Sequence, residues 1–405
     1  ERKNCFDRKV NSLFSSQQLP KDAFTDIETR LVLNQVALQD YNNFQIAGVG
    51  EREGRVLNNI VKETSFGFAH GIGRSGNLFD EQPKAPGSNQ LHKLTLNLVK
   101  DALAISGFKT VKQVAVLPMA TGMTMSFVLQ ALNLKKVLWL RCDQKSVPKG
   151  IELAASYVKV VDCVQNGQMM SIDISEVENE LKAQQFDCLI STSSCFAPRE
   201  PDQLKVLSKL CKQNKCKHIV NNAYGVQSRL IMEEINVCDD VTCVISSLDK
   251  NFLVPVGGAI IYSKHQVVEQ IVAKYPGRAS IGDIVRLFIT LIQLGRKGFV
   301  DLLEKRYKVF DKLKRELNAL TIPRNEISMY LPLSEKNQLW GQKLFHMGIS
   351  GARVDKVGQL QNLCGVELKD FGVHGAGGIQ GVIFAAGLGM EEHEVDELVK
   401  ALKTM

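Results

Sequence analysis

Seven short runs rich in β-branched residues constrain the fold of this chain more than any other feature. They lie at 113–117, 137–141, 158–161, 188–193, 218–222, 243–246 and 258–262, and helical patterns separate all but the last two. Strand-helix alternation points to an α/β layer structure, because parallel neighbours need a crossover of a dozen or more residues. The last two runs are too close for such a crossover. They are expected to pair antiparallel, with Lys250 in the connection. The expected fold class is therefore α/β, a mostly parallel seven-stranded sheet with one antiparallel strand.

A chain of 405 residues that is 44% hydrophobic can bury one large domain and a smaller one. The expected division is an N-terminal extension at 1–90, a sheet domain at 91–295, and a linking helix with a small α+β domain at 296–405. In the extension, the stretch Leu19-Pro20-Lys21-Asp22 reads as a helix start, with Ala23, Ile27, Leu31 and Leu38 on one side. After the sheet, 284–294 reads as a buried helix broken by Gly295 and Gly298. Phe299, Leu302, Phe310, Leu313, Leu317 and Leu320 then mark a long amphipathic one. No run approaches the ~18 apolar residues of a membrane span. Ten scattered cysteines with no C-x-x-C spacing predict neither a disulfide framework nor a metal site, and fit a reducing cytoplasm. The formal charge of +7 is compatible with a nucleic-acid partner without demanding one.

Lys250 closes one short apolar strand in Ser247-Leu248-Asp249-Lys250-Asn251-Phe252, and Gly257-Gly258 opens the next. This arrangement looks like the Schiff-base lysine of a pyridoxal phosphate enzyme, since desolvation lets an amine lose its proton and condense with an aldehyde. A lone lysine is more often an ordinary solvated turn residue, so the surroundings decide. The run 113–117 leads into Pro118-Met119-Ala120-Thr121-Gly122 at a helix start, where exposed N–H groups favour a phosphate. Thr121 and Gly122 are the candidates for that role, and a plain N-cap is the alternative for Thr121. The run 218–222 carries Asn221 where fold type I pyridoxal phosphate enzymes usually place an aspartate against the pyridine nitrogen. A neutral amide predicts a weaker electron sink than in transaminases. Gly71-Ile72-Gly73-Arg74-Ser75-Gly76 spells G-x-G-x-x-G, yet no strand precedes it, and Pro83, Pro86 and Gly87 follow where a helix is required. With Arg74, Ser75 and Gln82, this loop is instead expected to grip an anionic substrate group.

These stretches, together with Gly50-Glu51-Arg52-Glu53-Gly54-Arg55, Asp143-Gln144-Lys145-Ser146, Ser194-Cys195-Phe196-Ala197-Pro198-Arg199 and Tyr275-Pro276-Gly277-Arg278, form eight motifs in order. So assembled, the chain resembles the O-phosphoseryl-tRNA:selenocysteinyl-tRNA synthase family, most clearly over 42–354. The resemblance implies a fold type I transferase in which Lys250 carries pyridoxal 5′-phosphate. Thr121, Gly122 and Arg52 would bind the cofactor phosphate, Arg52 arriving from a neighbouring subunit, and Asn221 and Gln144 would contact the ring. Arg74, Ser75, Gln82 and Arg278 would hold the phosphate of the phosphoseryl group, Glu51 would repel a free carboxylate, and Arg353 would contact tRNA.

The same resemblance implies β-elimination of phosphate, selenium from selenophosphate, tRNA(Sec) as carrier, no membrane, and a homotetramer built as a dimer of dimers. Arg2, Lys3, Arg8, Lys9 and the basic stretch 296–315 are only electrostatic candidates for the tRNA, and a solvated helix face explains the second cluster at least as well. The competing classes are a cysteine desulfurase or selenocysteine lyase, which would bring a mobile catalytic cysteine, and a non-catalytic tRNA-binding relative, which would lose Lys250 or the loop.

Overall fold

The computed structural model describes residues 2–44, 47–358, 360–363 and 365–405. The first nine strands are β1 (Gln113–Leu117), β2 (Lys136–Leu140), β3 (Tyr157–Val161), β4 (Cys163–Asn166), β5 (Met169–Ile172), β6 (Cys188–Thr192), β7 (Lys217–Asn221), β8 (Val241–Ser247) and β9 (Ala259–Ser263). Seven of them form one sheet in the order β1-β9-β8-β7-β6-β2-β3, while β4 and β5 make a separate hairpin. Neighbours are parallel except at β9, which runs antiparallel to both β8 and β1. The expected sheet and its one reversed strand are both present. The reversal follows from chain length, since only residues 248–258 separate β8 from β9. β6 and β9 are buried along their whole length, as strands covered by helices on both faces must be.

The N-terminal helices depart from the expected pattern. Residues 19–25 are not helical; the helix runs Asp26–Ala37 and starts at Thr25, whose side chain and Glu28 form a capping box. Its buried side is Thr29, Val32, Leu33 and Val36, while Ile27, Leu31 and Leu38 are exposed. Pro20 suggested an early start, but the capping box sets the start. The face that packs on the helix Pro86–Ile105 is therefore rotated from the one the apolar spacing suggested. A further helix, Arg2–Ser16, precedes it.

The span Gly282–Leu317 consists of two helices that meet at Gly295, where the expected break falls. Gly295 adopts φ 61, ψ −177, and a Cβ there would lie 2.8 Å from the Pro20 carbonyl oxygen. Arg296 N–H instead donates to that carbonyl at 2.8 Å, so the break is satisfied by the N-terminal segment. Gly298 stays helical. Beyond it, β10 (Ser328–Pro332), β11 (Arg353–Asp355), β12 (Gln361–Leu363), β13 (Val366–Leu368) and β14 (Gly381–Ala385) follow, with β10-β14-β11 forming an antiparallel sheet. The closing helix Glu392–Lys403 packs on Gly282–Leu317, and no described helix is long and apolar enough to cross a membrane.

Candidate active site

Beyond β8 the chain makes one short helical turn, Leu248–Phe252, and leaves it through Leu253 in the left-handed region (φ 53). Buried Asn251 pins this turn: its Nδ2 donates to the carbonyls of Ser247 (2.7 Å) and Ala223 (2.9 Å), and its Oδ1 accepts Val226 N–H (3.1 Å). Lys250 is thereby aimed into a cavity of about 570 Å³ lined by Thr121, Gly122, Gln144, Phe196, Tyr224 and Arg353, among others. Its Nζ lies 3.2 Å from Ser247 Oγ and 3.1 Å from Asp249 Oδ2. The lysine side chain keeps 47% of its exposure. Within one chain the amine is thus charge-paired and half-exposed, not enclosed by apolar walls as the sequence argument anticipates.

Opposite it stands the start of helix Thr121–Ala131. The N-cap is Ala120, which offers no side-chain cap, so Thr121 is the first helical residue and not the cap. The first helical bond runs from Thr124 N–H to Ala120 O, and the amides of 121, 122 and 123 precede it. Gly122 is required by a close helix crossing: a Cβ there would lie 2.5 Å from Ser146 O. Asn221 ends β7, buried at 1% exposure, and neither Nδ2 nor Oδ1 has a hydrogen-bond partner among the described residues. A buried amide without partners is costly in a finished core, and a polar ring edge would satisfy it. Phe196 and Tyr224 stack with centroids 5.0 Å apart, and the Arg353 guanidinium sits 5.9 Å from the Phe196 ring. Burial pushes the Tyr224 phenol well above its ordinary pKa.

A second cavity, of about 560 Å³, gathers Arg52, Arg74, Ser75, Gln82, Lys84 and Arg278. The glycine loop lies flush against the segment carrying Arg278. Ile72 and Ala279 exchange backbone bonds of 2.9 and 3.1 Å, and a Cβ on Gly71 (φ +71) would come within 2.4 Å of Ala279 O. Arg278 Nη1 donates to His70 O at 3.2 Å. Burial lowers the His70 pKa, with Asp40 opposing and Arg278 assisting, so it adds no charge near neutrality. Lys84 is held by Glu53 at 2.7 Å. Exposed Glu51 lies 3.5 Å from Arg52 Nε, outside the cavity lining.

The structure brings Lys250, Thr121, Gly122 and Gln144 into one cavity with Asn221 nearby in the chain, and Arg74, Ser75, Gln82 and Arg278 into another. Arg52 joins the second group, and Arg353 joins the first. Sequence reasoning missed Lys84, although it stands two residues after Gln82, and missed Ser247 and Asp249 as partners of Lys250. Lys9 pairs with Glu28 (2.8 Å) and donates to Ala23 O (2.7 Å), and the side chains of Arg2 and Lys3 lie outside those described.

A sequence model of the family described as O-phosphoseryl-tRNA(Sec) selenium transferase, SepSecS, matches residues 39–405. The O-phosphoseryl-tRNA(Sec) selenium transferase of Dictyostelium discoideum is 36% identical over 448 residues, covering 99% of this chain and 94% of that protein. The crystal structure of an archaeal O-phosphoseryl-tRNA(Sec) selenium transferase superposes with a TM-score of 0.91 at 26% identity, over 99% of this chain and 95% of the other. At the level of fold alone, a serine palmitoyltransferase from S. paucimobilis with a bound PLP–myriocin aldimine gives a TM-score of 0.59 at 12% identity, over 85% of this chain and 81% of that one.

Proposed function

This chain belongs to the O-phosphoseryl-tRNA(Sec) selenium transferase family, and from that premise we propose how its residues divide the work. It is an enzyme of selenocysteine biosynthesis, and its reaction is selenium transfer to O-phosphoseryl-tRNA(Sec). Pyridoxal 5′-phosphate is the cofactor, held by Lys250; when bound it supplies the electron sink for loss of the α-proton and of the β-phosphate. Support comes from Lys250, Thr121 and Gly122 lining one cavity, and from the orphaned Asn221 amide two residues before Ala223 of its wall.

Each side chain then has a defined task. The amides at Thr121 and Gly122 face the cofactor phosphate with the positive end of the helix dipole. Asn221 and Gln144 meet the ring. Lys250 accepts the α-proton at Nζ, and Asp249, 3.1 Å away, is placed to hold the resulting ammonium. Arg74, Ser75, Gln82 and Arg278 grip the leaving phosphate, where planar guanidinium forks match a dianion and help most as its charge develops. Phosphate leaves more readily than hydroxide, which is the chemical reason for a phosphoseryl group on the tRNA. Selenophosphate then adds through selenium to the β-carbon, Lys250 Nζ returns a proton to the α-carbon, and water cleaves the Se–P bond to release phosphate.

One observation supports a shared site: within one chain the Lys250 cavity and the arginine cavity have no lining residue in common. We propose that the glycine loop and Arg52 of one subunit serve Lys250 of its neighbour, in a homotetramer built as a dimer of dimers. Glu51, beside Arg52, repels a free carboxylate and favours the aminoacyl ester. Arg353, on the rim of the Lys250 cavity, contacts the aminoacyl end of the tRNA. The enzyme works in the cytoplasm. A desulfurase-like mechanism is disfavoured because, among the described residues, no cysteine lines the Lys250 cavity. The purified protein should show a borohydride-sensitive cofactor absorbance and turn over phosphoseryl-tRNA with selenophosphate; absence of both would refute this assignment.

A further inference from the structure

Gln144 does not stand alone on its wall. The residue before it, Asp143, is buried in the segment just beyond β2 and its carboxylate receives four donors. Arg141 Nε and Nη2 approach at 2.8 and 3.2 Å, and the backbone N–H groups of Gly372 and His374 donate at 2.8 and 2.7 Å. Asp143 N–H in turn donates to His374 Nδ1 at 2.9 Å, which puts the imidazole proton on Nε2. Three further contacts extend the tie. His374 O accepts Cys163 N–H (3.1 Å), Phe371 O accepts Gly358 N–H (2.9 Å), and Arg141 Nη2 donates to Lys369 O (2.6 Å). Residues 356–358 directly follow β11, which carries Arg353. A carboxylate preceding Gln144 is therefore linked through one loop to the strand that presents Arg353 across the same cavity.

We propose that Asp143 is a positioning residue that sets both walls of the Lys250 cavity at once, through Gln144 on one side and the Arg353 strand on the other. The chain fixes the distance between these walls with charge-assisted hydrogen bonds inside a buried site, where each is stronger than in water. The role rests on the cofactor reading of that cavity. Asp143→Asn keeps the shape but gives one oxygen to four donors and adds an amide that faces them.

Amide hydrogen exchange in the cofactor-free protein reads the tie directly. In Asp143→Asn, the amides of Gly372 and His374 should exchange about tenfold faster. Pyridoxal phosphate affinity, read by absorbance, should fall about tenfold, with a matching rise in KM for phosphoseryl-tRNA. His374→Leu should speed exchange at the Asp143 amide and weaken cofactor binding, while His374→Asn, whose carbonyl can replace Nδ1, should restore both. That pair decides the matter should Asp143→Asn fail to fold. If the wild-type protein takes up no pyridoxal phosphate, the cofactor reading fails and the two-wall role falls with it. If the wild-type protein binds it, unchanged exchange in the variants overturns the proposal, as does a loss of thermal stability alone with affinity and KM intact.

Discussion

The two cavities are built by opposite means. The Lys250 cavity stands on strand ends and helix starts: Asn221 closes β7, Lys250 follows β8, Thr121 opens a helix. The arginine cavity stands on loops, with Arg74 and Ser75 in the glycine stretch and Arg278 in the segment bridged to it at Ile72 and Ala279. Strand ends are placed by a core that the whole sheet shares, whereas this loop is placed by local backbone contacts that only glycine permits. The first cavity should therefore tolerate backbone change poorly and side-chain change according to chemistry. The second should be sensitive at its glycines even where no functional group is lost.

The largest expected effect is at the amine. Lys250→Ala should abolish the borohydride-sensitive absorbance and reduce turnover by about three orders of magnitude or more, with the fold intact by circular dichroism. Surviving activity would mean that the strand-end cavity is not the reaction centre. Next, replacing Arg74 and Arg278 together by Ala should lower kcat/KM for phosphoseryl-tRNA by about 10²–10³, while cofactor absorbance is kept. A loss of cofactor binding in that variant would mean that these arginines hold the cofactor and not the leaving phosphate.

Smaller effects separate stability from chemistry. Gly71→Ala should cost about 1–3 kcal/mol in urea unfolding, because φ +71 and a carbonyl 2.4 Å from the new Cβ leave no room for relaxation. A neutral result would show that the loop is free to move. On the sheet side, burial holds His218 and His374 at pKa values of about 3. An unfolded histidine titrates near 6.5, so below that pH the unfolded state binds more protons and stability falls with acidification down to about pH 3. Moving from pH 7 to pH 5 should therefore cost about 2 kcal/mol for each, seen as a lower midpoint in urea; a flat profile would mean that water reaches these rings.

Much of the fold could be read from the chain because its determinants are local. Strand runs, crossover lengths and the short link around Lys250 set the mostly parallel sheet and its reversed strand, and the helix start at Thr121 follows from the residues around it. The phase of helix Asp26–Ala37 escaped, since the Thr25 capping box outweighed Pro20 and packing against a distant helix chose the buried side. Lys84 escaped because its neighbours Arg74 and Arg278 come from two separate stretches, and the Asp143–His374 tie because 231 residues separate its ends. The division of the candidate site into two cavities escaped for the same reason. Residue type and spacing say what a group can bind, but not which groups share a cavity.

That division is tested most directly by complementation between two inactive variants. Lys250→Ala and Arg74→Ala, carried on differently tagged chains and co-expressed, should each be nearly inactive alone. If neighbouring subunits share each site, a mixed dimer holds one site with both lesions and one with neither, and an equal mixture should recover about a quarter of wild-type activity. Recovery to that level is the result expected here. A mixed, doubly tagged dimer with no more activity than its inactive parents would place Arg74 and Lys250 in the same subunit's site and contradict it.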